Sequence, residues 1–313
     1  MYFLCIIQFM IKTAIIGVSG YGKIIYDLCQ KCVEDGKMEI SALVIRNPSK
    51  VQELIASLPK SSEIFNSAEE LFKNKNGQLD LVCIPTGIGT HAPLSIMAMK
   101  SGAHVMVEKP AAGSVEEVNE MIKVSKETGK HIAVGFQDIF RKDIYKIKQE
   151  LVEGLWGKLE SVSVLGSWPR SSEYYSRNEW AGKLKDGDSF VYDSPANNAL
   201  AHYLNLGLYL LGDKLQESTK VESIDANLYR AYNIENFDTL FSRTICENGK
   251  ILCYNVSHVA DEQFEPTLRL STDKHIILLQ HDKNSLYDKE GNHLKDLEFQ
   301  DTWAGRKNIS HFL

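Results

Sequence analysis

The sequence predicts a two-domain α/β chain, with a doubly wound parallel sheet over residues 1–137 followed by an α/β domain over 138–313 whose large open sheet is mainly antiparallel. Three observations carry this. Short apolar runs alternate with amphipathic segments through the first 137 residues, as βαβ units do. A glycine-rich turn, GVSGYG at 17–22, joins the first run to the first amphipathic segment. From Val221 onward, runs such as VESIDANLYR and KILCYNVSHVA alternate with turn residues, the pattern of antiparallel strands. At 313 residues the chain is also long for one compact domain.

Taken in order, IKTAIIG (11–17) reads as a strand, 21–36 as a helix closed by Gly36, and MEISALVIR (38–46) as a second strand. A helix is expected over 48–59 and another over 67–74, the latter capped by Ser67. LDLVCIP (79–85) reads as a buried strand, and 90–102 as a helix capped by Thr90 and ended by Gly102. AHVMVEKP is a fourth strand, 114–129 a helix with a capping box in Ser114 and Glu117, and KHIAVGFQ a fifth strand. Near Gln137 the pattern changes. A helix (DIYKIKQELVEG) leads to strand-like KLESVSVLGSW, an irregular aromatic segment, and the apolar helix ANNALAHYLNLGLYLLG; TLRLSTDKHIILLQ closes the series of strand-like runs.

Composition excludes several function classes. With 43% hydrophobic and 24% charged residues and no low-complexity tract, the chain is neither disordered nor fibrous. A net charge of −6 and the lack of a wholly basic run argue against nucleic-acid binding. The opening MYFLCIIQFM is apolar, but Lys12 interrupts it before it could span a bilayer, and it lacks a cationic leader. Residues 1–10 read as an N-terminal extension, with Met10 a suitable start, and no membrane partner is expected. Six cysteines suit a reducing, cytoplasmic location. Cys29 and Cys32 form a CxxC, but a zinc ribbon needs a second pair and Cys246 and Cys253 have the wrong spacing, so no metal is expected.

Two stretches carry chemistry in the first domain. A dinucleotide fingerprint GxGxxG would place glycines where this chain has Gly17, Ser19 and Gly22, with Gly20 and Tyr21 between. Serine is small enough for the middle place, where the backbone must approach a pyrophosphate, and the following helix N-terminus supplies donors. A tight βα turn without cofactor is the other reading. An acidic residue to hold ribose hydroxyls is expected at the end of the second strand, where the chain has Arg46, Asn47, Pro48, Ser49 and Lys50 instead. With no carboxylate there, a guanidinium, a hydroxyl and an ammonium suit a 2′-phosphate, so NADP is favoured over NAD. Solvated surface charge is the alternative for Arg46 and Lys50. The second stretch is Glu108-Lys109-Pro110, where a β-branched run delivers a charge to the carboxyl end of a strand, the edge of an α/β sheet at which ligands bind.

With Thr86 and His91 five apart after the third strand and VGFQ closing the domain, this order resembles the Gfo/Idh/MocA family of NAD(P)-dependent oxidoreductases. The likeness covers the first 140 residues well and the rest more loosely. It implies a Rossmann domain, then an α/β domain with an open antiparallel sheet, cofactor across the strand ends and a sugar, cyclitol or derivative as substrate. It also implies homodimers or homotetramers through the open sheet. Under the resemblance, Thr86, His91 and Glu108 contact the cofactor, and Lys109 reaches the nicotinamide and stabilises a developing alkoxide. An Asp and a His four apart on a helix are usual in the family; here the matching positions are Asn198 and His202. His202 suits proton transfer, while Asn198 can orient a substrate hydroxyl but cannot hold an imidazolium. Asp193 either compensates or caps the helix.

Between them, residues 167–188 are too polar for core yet hold Trp168, Arg170, Tyr174, Tyr175, Arg177 and Trp180. Aromatic faces stack on sugars and arginines read hydroxyls or carboxylates, so this is either a substrate loop for a glycosyl or sugar-acid ligand or a subunit interface. The leading expectation is an NADP(H)-preferring sugar or cyclitol dehydrogenase. An NAD-dependent glycoside hydrolase working by transient oxidation and elimination, and a dinucleotide-binding protein without turnover, remain alternatives. The end at Leu313 is short for the family, leaving a truncated terminus as one reading.

Overall fold

The computed structural model describes residues 10–298 apart from 60 and 282; residues 1–9 of the expected N-terminal extension and residues 299–313 lie outside the described residues. The chain divides into two compact units at Gly135/Phe136.

Unit 1 carries β1 (Ile11–Ile16), α1 (Tyr21–Glu34), β2 (Met38–Val44), α2 (Gln52–Ser57), β3 (Glu63–Phe65) and α3 (Ala68–Lys75). Then follow β4 (Leu81–Ile84), α4 (His91–Lys100), β5 (His104–Val107), α5 (Val115–Thr128) and β6 (Ile132–Val134). The strands form one sheet in the order β3-β2-β1-β4-β5-β6, with every pairing parallel. Because the order reverses between β1 and β4, their carboxyl ends open a crevice, the topological switch point of a doubly wound sheet. Ala14, Ile15, Val82 and Cys83 are wholly buried, as strands covered on both faces require. Ser114 and Glu117 form the capping box, and Ser67 caps α3 by accepting from the Glu70 N–H.

Three local readings differ. The helix over 48–59 is a 3-10 turn at Pro48–Lys50 followed by a short α2, because Pro48 opens a turn that Val51 breaks with extended φ. β3 has three residues and too short an apolar run to register as a strand. Thr90 makes no side-chain cap: α4 enters through a 3-10 turn, and the Thr90 hydroxyl lies 2.8 Å from Gly87 O and 2.7 Å from Thr86 Oγ1.

Unit 2 begins with α6 (Lys142–Val152), β7 (Leu159–Ser167), α7 (Ser172–Ser176), a small ribbon of β8 (Lys185–Asp186) and β9 (Ser189–Phe190), and α8 (Ala201–Leu211). It continues with β10 (Val221–Tyr229), β11 (Thr239–Cys246), β12 (Ile251–Ser257), β13 (Phe264–Thr272), β14 (Ile276–Leu279), β15 (Asn284–Tyr287) and β16 (His293–Leu297). The sheet order is β10-β11-β12-β7-β13-β14-β15-β16, antiparallel except for the β12·β7 pair. Period-two alternation buries Val162, Val164, Leu252, Tyr254 and Leu268 beneath Tyr203, Leu206 and Leu210 of α8. The opposite face stays open: Leu165 is 54% exposed, Phe241 48% and Tyr229 56%.

Lys148 fixes α8 to α6. Its buried ammonium donates to the carbonyls of Tyr209 at 2.7 Å, Leu210 and Gly212, satisfying acceptors that the last turn of a helix leaves without partners. Cys29, Cys32, Cys83 and Cys246 are buried thiols, and among the described residues no cluster could hold a metal ion. No helix among them is long and apolar enough to cross a membrane.

Candidate functional site

Unit 1 builds its site from the turn after β1. Gly17 (φ 90°) and Gly20 (φ 57°) occupy left-handed backbone that L side chains disfavour. Gly22 is demanded by space instead: a Cβ there would stand 2.4 Å from the Gly17 carbonyl oxygen, so α1 can approach β1 only without a side chain. Gly20 caps α1 without a side-chain bond, and no acidic residue occupies the first turn. The positive end of the helix dipole and its leading N–H groups therefore suit an anion from outside the helix.

Beside this turn lies a cavity of about 410 Å³ at the switch point, to which Gly17, Ser19, Arg46, Lys50 and Thr86 all contribute. Asn47 joins them, and the Ser49 hydroxyl donates to Asn47 Oδ1 at 2.6 Å rather than lining the cavity. The sequence expectation concerned the end of β2 alone, and the cavity draws a carboxylate from elsewhere. The end of β2 has none, but Glu69 at the start of α3 lines the same cavity. Its own backbone N–H and the Ser67 hydroxyl hold it below the usual carboxylate range, and Arg46 adds to the effect.

His91 is buried rather than presented to a ligand. Its Nδ1 lies 2.7 Å from Pro110 O and its Nε2 3.0 Å from Thr86 O, so the ring braces the Thr86 turn against the turn after β5. Burial pushes the imidazole down, and a neutral ring can donate to only one of the two carbonyls. Glu108 is 8% exposed and packs against Gly135, where a Cβ would meet its Oε1 at 2.8 Å. Lys109 follows, half-buried, and its backbone N–H donates to Glu108 Oε2 at 3.2 Å.

In unit 2, Asn198 and His202 do not share one continuous helix. Asn198 lies in a π-helical turn (Pro195–Ala199), Leu200 breaks the pattern at φ −104°, ψ 6°, and His202 lies in the first turn of α8. Asp193 is not a cap, since Ser194 takes that role by accepting from the Asn197 N–H. Buried Asp193 instead accepts from Asn198 Nδ2 at 2.8 Å and from the Gly182 N–H at 2.7 Å, fixing the amide. The preceding Tyr192 takes a positive φ of 43°, an uncommon conformation for a bulky side chain.

The carboxylate that Asn198 lacks comes from a residue the sequence reading missed. Asp138, 1% exposed, places Oδ2 4.0 Å from His202 Nδ1. The Phe136 ring meets the imidazole edge-on, with centroids 5.9 Å apart. No spacing rule links Asp138 to His202, because the 3-10 turn at Gln137–Phe140 and α8 meet only in the folded unit.

Residues 167–188 pack against the strands of unit 2 and against one another. Trp168 Nε1 donates to Glu265 Oε2 at 3.3 Å, and the Tyr175 hydroxyl lies 3.2 Å from His258 Nδ1, so neither polar tip is unengaged. Arg177 stacks on Tyr174, with Cζ 3.4 Å from the ring centroid, and also reaches Trp180 at 5.4 Å. Arg170 lies 4.8 Å from the Tyr174 centroid and 6.0 Å from that of Trp168.

Comparison with known proteins agrees with this architecture. Residues 11–136 match the model of an oxidoreductase family with an NAD-binding Rossmann fold. A glycosyl hydrolase family 109 protein of Solibacter usitatus is 26% identical over 230 residues, 70% of this chain and 51% of that protein. A D-xylose dehydrogenase of Paenarthrobacter nicotinovorans is 25% identical over 166 residues, covering 51% of this chain and 42% of its own length. The chain thus spans about half or less of the curated relatives it matches. In fold it resembles the WlbA dehydrogenase from Bordetella pertussis, solved in complex with NADH and UDP-GlcNAcA, with a TM-score of 0.76 at 22% identity over 90% of this chain and 78% of that one.

Glu108 generates a pH prediction. Burial pushes its carboxyl up to about 7, against the opposing pull of the Lys109 charge and the Lys109 N–H. A folded-state value above the unfolded one means the protonated form supports the fold fully below about pH 4.5 and that support is lost as pH rises through about 7. Glu108→Gln should abolish this loss, worth up to about 3 kcal/mol, so that urea unfolding at pH 4.5, 6 and 8 shows the variant gaining on the native protein as pH rises. Parallel pH profiles for the two proteins would contradict the assignment.

Proposed function

With residues 11–136 belonging to the Gfo/Idh/MocA oxidoreductases, we propose that this protein transfers hydride between a nicotinamide dinucleotide, NADP(H) in preference to NAD(H), and a CH–OH group of a sugar, cyclitol or sugar derivative. The observation that carries the reading is the cavity at the switch point, lined by Gly17, Ser19, Thr86, Arg46 and Lys50. The open N-terminus of α1 and the uncluttered backbone at Gly20, with nothing within 4 Å of an added Cβ, fit a pyrophosphate. Arg46 and Lys50 would hold a 2′-phosphate against the single carboxylate of Glu69. Tyr21, Ser49, Glu108 and Lys109 complete the proposed cofactor contacts, with His91 acting from behind as a brace.

When bound, the nicotinamide supplies the acceptor or donor of hydride. Lys109, at the end of β5, offsets negative charge developing on the reacting oxygen. His202 takes the proton of the reacting hydroxyl in oxidation and returns it in reduction. Asp138 stabilises the imidazolium that forms, the work Asn198 cannot do, while Asn198, held by Asp193, orients a substrate hydroxyl. Trp168, Arg170, Tyr175, Arg177 and Trp180 are proposed to form the substrate-binding segment. The open sheet face carrying Leu165, Tyr229 and Phe241 is proposed to bury itself in a homodimer or homotetramer.

A second reading, an NAD-dependent glycoside hydrolase, is favoured by the likeness to the family 109 protein over 70% of this chain. Glycoside cleavage without net change in nicotinamide absorbance distinguishes it.

Four outcomes are expected. Arg46→Ala should weaken NADPH binding about tenfold, about 1.4 kcal/mol, and leave NADH binding unchanged; an unaltered NADPH/NADH affinity ratio would overturn the NADP preference. In the oxidation direction, His202→Gln should cost about 10²–10⁴ in kcat. Asp138→Asn should lower kcat in oxidation about tenfold while leaving NADPH affinity unchanged, and an unchanged kcat would remove Asp138 from the proton-transfer site. Light scattering should give at least the mass of a dimer, and Phe241→Asp should yield monomer; a native monomer would remove the sheet-face assignment.

A further inference from the structure

Two guanidinium groups in unit 2 share one aromatic ring. Arg177 Cζ lies 3.4 Å and Arg170 Cζ 4.8 Å from the Tyr174 centroid, with Trp180 and Trp168 at their outer edges. Among the described residues neither guanidinium has a carboxylate at ion-pairing distance. Three carboxylates of unit 2 near this segment are committed to other donors. Asp193 accepts from Gly182 and Asn198, Asp238 from the backbone N–H groups of Ala231 and Tyr232, and Glu265 from Trp168. Arg177 is exposed and screened by water, but the buried Nε of Arg170 has no counter-charge among the described residues, and a bound anion would offset that cost.

The polar atoms beneath the stack show the same deficit. Arg170 Nε and His258 Nε2 are buried and have no hydrogen-bond partner, and His258 as a whole is 3% exposed. The backbone is committed here: the Arg170 N–H donates to His258 O at 2.9 Å, and the Tyr232 hydroxyl donates to Arg170 O at 2.5 Å, which pins Arg170 to its place. Burial and then the two guanidiniums push the His258 imidazole down to about 3, so it stays neutral and adds no third positive charge. A buried donor left without an acceptor calls for an explanation.

We propose that Arg170 and Arg177, braced on Tyr174 and backed by His258, form a binding site for a singly or doubly charged oxyanion carried by a sugar, either a carboxylate or a phosphate. Guanidiniums suit both groups because their planar N–H forks match paired anionic oxygens. Aromatic support holds the forks without neutralising them, as cation–π contact leaves the N–H edges available. Trp168 and Trp180 border the same pair and offer faces to the apolar side of a sugar ring. This deepens the dehydrogenase reading and rests on it: the substrate becomes an anionic sugar, a sugar acid or a sugar phosphate, rather than a neutral one.

The test is calorimetric titration of the full chain with glucuronate, glucose 6-phosphate, glucose and inorganic phosphate, at fixed ionic strength. At least one of the two anionic sugars should bind ten times or more tighter than glucose, and which one does so identifies the oxyanion as carboxylate or phosphate. Arg177→Gln, at an exposed position, should remove most of that advantage; Arg170→Gln should do the same. Unchanged near-ultraviolet circular dichroism and melting temperature of each variant show that unit 2, which holds both arginines, keeps its fold, and NADPH titration reports on unit 1 separately. Equal binding of glucose and both anionic sugars, or binding of inorganic phosphate as tight as the sugars and indifferent to Arg177→Gln, would overturn the site. Failure of either kind with NADPH binding intact would leave the dehydrogenase reading standing, whereas anion binding without NADPH binding would sink that reading and spare the site.

Discussion

The contact between Gly22 and the carbonyl of Gly17 is the constraint on which unit 1 depends. A Cβ at Gly22 would stand 2.4 Å from that oxygen, closer than real Cβ atoms come, so any other residue would push α1 away from β1. The displacement would enlarge the turn that carries Ser19 and move it relative to Thr86, whose Cγ2 lies 3.5 Å from where a Gly17 Cβ would be. Sheet order does the rest. Because β1 is flanked by β2 and β4, the turns following all three strands border one opening, bringing Gly17, Arg46 and Thr86 around a single cavity although they span some 70 residues of sequence.

Unit 2 has a comparable anchor. The Tyr254 hydroxyl, buried in the sheet, donates to Leu200 O at 2.9 Å, at the break between the π-helical turn and α8. At the other end of α8, Lys148 gathers the carbonyls of Tyr209, Leu210 and Gly212. Held at both ends, α8 keeps His202 at the side chain of Asp138, and the break at Leu200 lets Asn198 turn to Asp193 instead. The two side chains that spacing alone would pair therefore have separate partners.

Much of this was legible in the sequence where the signal is local. Helix caps at Ser67 and Ser114, the glycine turn and the alternation of β7, β11, β12 and β13 depend on residues a few positions apart, and elementary stereochemistry reads them directly. Arg46 and Lys50 were found as cavity residues because the end of β2 has a fixed place in such a sheet. What escaped depends on chain segments that meet only on folding. Glu69 reaches the cavity from α3, Asp138 reaches His202 across 64 positions of sequence, and His258 lies under an aromatic segment some 80 residues earlier. His91 shows the converse: a spacing after β4 singled it out, and both ring nitrogens are turned to backbone carbonyls.

The proposed function requires that the cavity beside Gly17 and Arg46 take a dinucleotide. The most direct measurement is to denature the purified protein, identify any released nucleotide by mass spectrometry, and follow nicotinamide fluorescence while the emptied protein is titrated with NADPH and NADH. Saturable binding at one nucleotide per chain, tighter for NADPH, is the result this account predicts. No released nucleotide and no saturable binding of either form would contradict it, and the glycine turn would then be a tight βα connection alone.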